Sequence, residues 1–269
     1  MADGRIRRCA PLAHKVMGKK TFKLSFNEPW RCKDPEFQKV LSALRTTKPD
    51  QELLAFLQSR RAWSPPGAPT SAGLMKLFRK HPEIVVLTCT RRGAMRVNDC
   101  ALAGFYPRYP PRDVLLGDVE SNTENYHRDG TMKALHSLKP MEFRVYVGMR
   151  VYFTRNVRKD IDYVNGMDGR IESYDRKKQV IQVRTKSGHL TLCTPWTDRN
   201  LGNMVYYPIK AGYASTIVKF QGVDLKKVAV YLDAANVPGG AYTALSRVSF
   251  MTDWYIGGIV TANHFTPAH

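Results

Sequence analysis

The sequence predicts an α/β protein in which a parallel β-sheet with flanking helices is interrupted by a small antiparallel β-barrel. Residues 84–90 and 227–233 are short apolar runs, typical of buried strands in a parallel sheet. From Val145 to Phe153, by contrast, apolar residues occupy every second position, which is the period of a half-buried strand. Turn-forming stretches then recur about every ten residues, at 165–169, 174–178 and 186–188. Short strands spaced in this way indicate a barrel inserted into an otherwise alternating strand–helix pattern.

Two helices are predicted ahead of the first parallel strand. Asp34 is suited to cap a helix that has Pro35 in its first turn, and apolar residues follow at helical spacing. A second amphipathic helix is expected after Asp50, and residues 64–69 form a loop by composition. The first parallel strand is then followed by a helix that starts at Arg91.

The middle of the chain is less regular than either end. Residues 105–140 are rich in Pro, Gly and Asn and predict no particular element. The C-terminal part predicts a helix, a strand, a helix and a strand, at 214–222, 227–233, 241–248 and 254–259. The expected domains are a basic N-terminal segment (1–26), the first part of the sheet domain (27–146), the barrel (147–204) and the second part of the sheet domain (205–269).

The net charge is the most informative feature of the composition. Forty-two Lys and Arg against 23 Asp and Glu give a formal charge of +19. Such an excess favours a polyanionic partner, and nucleic acid is the first candidate. The alternative is a basic surface with no dedicated partner.

Other sequence features argue against several classes of protein. The five cysteines are odd in number and scattered, without the spacing of metal ligands, which is typical of a reducing intracellular compartment. The seven histidines are dispersed as well, so no metal site is predicted. No apolar run approaches the roughly 20 residues of a membrane span, and no apolar region follows the basic N-terminus as in a secretory signal. We therefore expect no membrane association.

Four stretches of the chain, in order, resemble the second motor domain of superfamily 1 DNA helicases of the Pif/RecD type. Residues 27–37 are similar to the segment whose arginine reaches the γ-phosphate of ATP, and residues 85–90 with Asn98 resemble the opening of the second RecA-like fold. Residues 147–156 and 164–169 resemble the start of the inserted Src-homology-3-like barrel. The last two helicase motifs resemble residues 216–222 and 242–248, the latter reading Tyr-Thr-Ala-Leu-Ser-Arg-Val. The likeness covers about residues 27–260.

The resemblance implies roles for individual residues in an ATP-dependent, 5′–3′ type DNA helicase. Arg247 would be the arginine finger, Arg31 a second phosphate sensor, and Gln221 and Gly222 would lie near the nucleotide. Four further residues would face single-stranded DNA: Thr88, Thr90, Thr216 and Lys219. On the residues alone, the alternatives are a solvated helix-end cation for Arg247, a surface arginine for Arg31, the end of a strand for Thr88 and Thr90, and an exposed helix lysine for Lys219.

The chain departs from the family in two ways. Val218 and Phe220 replace the histidine and serine of the family's His-Lys-Ser-Gln-Gly motif, and Asp224 stands where Thr or Ser is common. In addition, the 269 residues contain no Gly-x-x-x-x-Gly-Lys-Ser/Thr string to cradle nucleotide phosphates. We therefore expect ATP and Mg²⁺ to be bound only if a P-loop domain is supplied from elsewhere, in cis or in trans.

These observations predict the C-terminal motor half of a DNA helicase, with a RecA-like fold, that is inactive as an ATPase on its own. One alternative is a non-enzymatic nucleic-acid-binding remnant. The other is a regulatory half that pairs with a separate P-loop subunit. The expected partners are single-stranded DNA and a P-loop-containing first motor domain, and the expected location is intracellular, in the nucleus or mitochondrion of a eukaryote.

Overall fold

A computed structural model of the chain describes residues 32–161 and 163–267. Arg31 and the basic N-terminal segment lie outside the described residues. The helices are α1 (Pro35–Thr46), α2 (Gln51–Ser59), α3 (Ser71–Lys80), α4 (Arg91–Phe105) and α5 (Gly240–Leu245). None of the helices described is both long and apolar enough to cross a membrane.

The centre of the fold is a four-stranded parallel sheet in the order β11-β1-β12-β13. Its strands are β1 (Val85–Thr88), β11 (Ala214–Thr216), β12 (Val228–Tyr231) and β13 (Trp254–Gly257). The apolar runs predicted at 84–90 and 227–233 are therefore confirmed as neighbouring strands, with Val86 in register with Ala229. The predicted α/β class is confirmed.

Both faces of this sheet are covered, because successive side chains of a strand point to opposite sides. Leu87 and Val230 contribute to one buried cluster, together with apolar residues of α1, α2 and α5. Val86 and Ala229 contribute to the other, which includes apolar residues of α3 and α4. Burial on both faces explains why these strands are continuously apolar.

The helices begin where the sequence provides caps. The Asp34 carboxylate accepts hydrogen bonds from the backbone N–H groups of Glu36 and Phe37 at 3.1 and 3.2 Å, so α1 begins as predicted. Helix α3 was not predicted. It follows its N-cap Thr70 and buries Leu74 and Phe78, a spacing of four residues that places both side chains on one face.

A five-stranded antiparallel sheet, in the order β10-β4-β5-β6-β7, forms the predicted inserted unit. Its strands are β4 (Arg150–Phe153), β5 (Asp168–Asp175), β6 (Val180–Thr185), β7 (Leu190–Cys193) and β10 (Ile209–Ala211). It has a core cluster of its own, which includes Val151, Ile171 and Val183. The sheet extends past the expected boundary at residue 204, because Ile209 in β10 pairs with Phe153 in β4.

Two hairpins complete the antiparallel part: β2 (Asp113–Gly117) with β3 (Met141–Val145), and β8 (Trp196–Asp198) with β9 (Met204–Tyr206). The alternating stretch that begins at Val145 is thus divided between two strands. Val145 ends β3, a turn closed by the Met149 N–H to Tyr146 carbonyl hydrogen bond follows, and β4 starts at Arg150.

The irregular stretch between β2 and β3 is organised by one buried amide. Asn125 donates from Nδ2 to the carbonyl oxygens of Val119 and Lys139, at 2.9 and 2.8 Å, and its Oδ1 accepts from the Lys139 N–H at 2.9 Å. These three bonds add to the backbone hydrogen bonds of the stretch, which include the 3₁₀ turns Thr123–Asn125 and Leu135–Ser137.

The helix predicted over residues 214–222 is wrong. The segment forms strand β11 and then a single 3₁₀ turn, Ile217–Phe220. Parallel pairing of β11 with β1, in the register Val86 to Ala214, fixes an extended backbone. Gly222 then ends the segment in the left-handed region, with φ of +86°. By contrast, the helix predicted over 241–248 is present as α5, although it ends at Leu245.

Candidate functional site

A cleft of about 770 Å³ lies where the parallel sheet meets the antiparallel unit. Thr216 and Lys219, from the β11 segment, form part of one wall, and Arg91 at the start of α4 lies beside them. Lys210 of β10 and Tyr152 of β4 belong to the antiparallel side. The fold thus brings together two of the residues predicted to face single-stranded DNA.

Lys219 is about half exposed and is held at the cleft by a carboxylate. Its Nζ lies 3.3 Å from Glu120 Oε2, and Arg155 Nη2 lies 3.3 Å from Glu120 Oε1. Arg155 also pairs with Asp198 at 3.1 Å. Burial acts to raise the pKa of Glu120, but the charges of Arg155 and Lys219 outweigh it and hold that pKa below its usual range. Glu120 is therefore an anion that competes for Lys219.

Lys210 brings a second ammonium group to the cleft. Its Nζ donates to Ser215 Oγ at 3.2 Å. Burial lowers the pKa of Lys210, and the negative charges of Asp118 and Glu120 act in the opposite direction. The cleft therefore contains cations whose charge is partly balanced by acids in the same walls.

Aromatic and polar groups complete the site. The Arg91 guanidinium lies 3.9 Å from the centre of the Tyr126 ring. Asp118 is 2% exposed and its Oδ2 accepts from Ser121 Oγ at 2.6 Å. The ring of Tyr152 meets that of Phe220 edge to face at 5.6 Å. Basic groups interleaved with aromatic rings are suited to single-stranded nucleic acid.

Thr88 and Thr90 do not present free hydroxyl groups to a ligand. Thr88 is fully buried, and its hydroxyl donates to the Thr90 carbonyl at 2.8 Å. The Thr90 hydroxyl caps α4 by accepting from the Gly93 N–H at 2.9 Å and donates to the Asp233 carboxylate. Both hydroxyl groups join β1 to the elements around it, and the role of these two residues toward DNA stays a prediction.

Arg247 follows α5 and is only 7% exposed. Its Nε donates to the Thr243 carbonyl at 2.8 Å and its Nη2 to Ser246 Oγ at 2.9 Å, so the guanidinium is folded onto the end of its own helix. Gln221 and Gly222 are exposed in the turn after the 3₁₀ segment. These three residues, predicted to lie near nucleotide, are not among those that line the cleft.

Sequence reasoning missed several residues of the cleft. Asp118, Glu120 and Lys210 belong to segments that are about 90 positions apart, and only the fold joins them. One signal was available: Asp118 and Glu120 come directly after the short apolar run of β2. The described residues include no group of three or more His, Cys, Asp or Glu side chains placed to hold a metal ion.

The sequence was compared with protein families and with known proteins. No family model matches the chain. It is 25% identical over 246 residues to the ATP-dependent DNA helicase Pif1 of Campylobacter jejuni, which covers 86% of this chain and 52% of that protein. The chain thus spans about half the length of that relative.

Solved structures show the same fold. The crystal structure of the Bacteroides Pif1 helicase in complex with ADP-AlF3 and ssDNA matches with a TM-score of 0.63 at 17% identity, over 99% of this chain and 61% of that one. The Pif1 helicase from Candida albicans matches with a TM-score of 0.58 at 19% identity, over 87% and 55%.

The fold is therefore that of a RecA-like helicase domain, with a parallel sheet and a separate antiparallel unit. More narrowly, the chain resembles the C-terminal half of Pif1-type superfamily 1 helicases in both sequence and fold, which confirms the family resemblance predicted from the motifs.

Proposed function

We propose that this chain is the C-terminal motor half of an ATP-dependent DNA helicase and that its cleft binds single-stranded DNA. The observation that carries the proposal is the convergence of Thr216 and Lys219 on one cleft, whose lining combines four basic side chains with four acidic ones and several aromatic rings. The sequence match to a DNA helicase and the net charge of +19 support it. In this proposal Arg247, Arg31, Gln221 and Gly222 act on ATP and Mg²⁺ held by a P-loop domain supplied in cis or in trans.

Fluorescence anisotropy with a thymidine oligomer tests the DNA-binding part. We expect Lys219→Ala to weaken binding, and to reduce the slope of log K against log salt by about 0.7, the value for one phosphate contact to a single strand. The matched control is Lys39→Ala, which also removes one charge but lies on α1, where Lys39 pairs with Glu36 at 2.7 Å. Equal slopes for the two variants would contradict the proposal.

A second candidate is a non-enzymatic nucleic-acid-binding remnant. Val218, in the position of the family's motif histidine, is 74% exposed and has no hydrogen-bonding side chain. The remnant binds DNA as described above but gains no ATPase from any P-loop partner. Co-purification with a P-loop subunit, and ATPase activity that depends on Arg247, would instead favour the motor half or the regulatory half.

A further inference from the structure

Three polar side chains line the cleft from neighbouring segments of chain, and the part of the cleft that they form is here called its inner end. The Asp118 N–H donates to the Ile209 carbonyl at 3.4 Å, and the Thr154 N–H donates to the Pro208 carbonyl at 2.8 Å. Asp118 and Thr154 therefore flank the start of β10, and Lys210 is the next residue along that strand. All three line the cleft.

The hydrogen-bonding capacity of this trio is not met within the described part of the chain. Asp118 is 2% and Thr154 7% exposed, yet Asp118 Oδ1 and Thr154 Oγ1 have no hydrogen-bond partner there. Lys210 donates to Ser215, which occupies one of its three ammonium protons. Buried polar atoms in native proteins are normally paired, so unpaired ones in a cleft wall indicate a ligand that pairs them.

The chemistry of the trio selects the ligand. A carboxylate oxygen needs an N–H or O–H donor, an ammonium group needs an acceptor, and a hydroxyl takes either. A phosphate group is disfavoured at this depth because Asp118, and Glu120 nearby, would repel it. The edge of a nucleobase, in contrast, presents a donor and an acceptor side by side. Tyr152 and Phe220, which are 3% and 7% exposed, give the same wall an apolar surface against which a base can pack.

We propose that the inner end of the cleft accepts a nucleobase of the bound single strand, with its edge on Asp118, Thr154 and Lys210. The bases of the strand point inward and its phosphates remain at the mouth, beside Lys219 and Arg91. This inference rests on the proposed binding of single-stranded DNA and adds which part of the nucleotide the protein holds.

Binding of two oligomers of equal length and charge tests it: a thymidine oligomer and an abasic oligomer with the same phosphates. We expect the abasic oligomer to bind at least about five-fold more weakly, the lower end of what stacking one base contributes. Thr154→Val should reduce this preference without loss of thermal stability, because the Thr154 hydroxyl has no partner in the described structure. The control is Thr197→Val, an exposed threonine on β8 that does not line the cleft.

The outcomes separate the two proposals. Equal affinities for the two oligomers would overturn base insertion and leave the cleft as a backbone site. A preference that Thr154→Val leaves unchanged would also overturn it, since the trio would then be satisfied by water. Failure of the wild-type protein to bind either oligomer would overturn the proposed function itself.

Discussion

Glu120 sets the charge of the cleft at the level of single residues. It pairs with both Lys219 and Arg155, so the two cations nearest to it are partly neutralised when no ligand is bound. A phosphate that approaches Lys219 must therefore displace or tolerate a carboxylate. If the cleft binds DNA as proposed, Glu120 opposes that binding from within the cleft.

We expect Glu120→Gln to tighten binding of single-stranded DNA by about two- to five-fold, because ion pairs of this exposure are worth up to about 1 kcal/mol. The measurement is anisotropy at fixed salt. Glu83→Gln is the control: Glu83 pairs with Lys226 at 3.1 Å and lies outside the cleft lining. Unchanged or weaker binding by Glu120→Gln would show that the ion pair with Glu120 does not limit the contribution of Lys219 to DNA binding.

Gly93 lies where the structure leaves no space for a side chain. A Cβ at this position would overlap the Asp233 carboxylate, which also accepts from the Cys89 N–H at 2.8 Å. We expect Gly93→Ala to destabilise the protein by about 1–3 kcal/mol, the usual cost of overpacking, although alanine favours helix elsewhere. Gly104→Ala in the same helix is the control with the milder overlap. Its Cβ would lie 2.8 Å from the flexible Met75 side chain and 3.1 Å from the Ser71 carbonyl oxygen, whereas a Cβ at Gly93 would lie closer still to Asp233 Oδ2. Denaturant midpoints compare the two, and equal midpoints would contradict the expectation.

At the scale of elements, three of the four strands of the parallel sheet could be predicted and the fourth, β11, could not. The run 84–90 is apolar throughout because the strand is buried on both faces, and this pattern is visible in the sequence. The segment 214–222 has no such pattern. Its extended conformation comes from pairing with β1, more than 100 residues earlier, and from contacts with α4.

Asn98 makes that contact and allows a test. Its Oδ1 accepts from the N–H groups of Tyr213 and Ala214, at 3.0 and 2.9 Å, and its Nδ2 donates to the Ala214 carbonyl at 3.2 Å. We expect Asn98→Ala to destabilise the protein by about 1–3 kcal/mol, because buried backbone groups lose their partners. Amide hydrogen exchange at Tyr213 and Ala214 should accelerate most. Asn98→Asp keeps an acceptor, so its stability should lie between that of the wild type and that of Asn98→Ala. A loss of stability equal to that of Asn98→Ala would contradict this account.

The residues of the candidate site also fall into those that the sequence predicts and those that only the fold reveals. Thr216 and Lys219 were predicted because they belong to a short motif, and both line the cleft. Lys210 could not be predicted, since it lies in a strand beyond the expected barrel boundary, and the one signal for Asp118 was its place directly after the short apolar run of β2. Thr88 and Thr90 were assigned to DNA from the same resemblance, but their burial and hydrogen bonds were not visible in the sequence.

At the scale of the whole molecule, the charge and the cleft make separate contributions. The net charge of +19 acts on any polyanion, while the cleft contains acids as well as bases. Binding governed by charge alone is sensitive to salt and indifferent to the bases, whereas the proposed binding in the cleft depends on Lys219 and Thr154. Variants of these two residues therefore measure how much the cleft contributes to the affinity, separately from the contribution of the net charge.

The proposed role of Arg247 can be tested through the ATPase activity of the whole chain. The chain contains the proposed finger Arg247 but no P-loop string, so we expect no ATPase above background from this chain alone, with or without single-stranded DNA. Addition of a Pif1-type first motor domain that carries a P-loop should restore turnover. In that assembly Arg247→Ala should lower the rate by about 10³–10⁵-fold, as for other arginine fingers.

The position of Arg247 makes the control for this experiment important. Because its guanidinium is bound to Thr243 and Ser246, the alanine variant also loses contacts that hold the end of α5. Arg247→Lys keeps the charge but not the planar fork, so a true finger loses most of its turnover in this variant too. Loss of turnover in Arg247→Lys at a melting temperature equal to that of the wild type separates catalysis from stability. Robust ATPase from the chain alone, or full activity of Arg247→Ala in the assembly, would contradict the assignment of this residue.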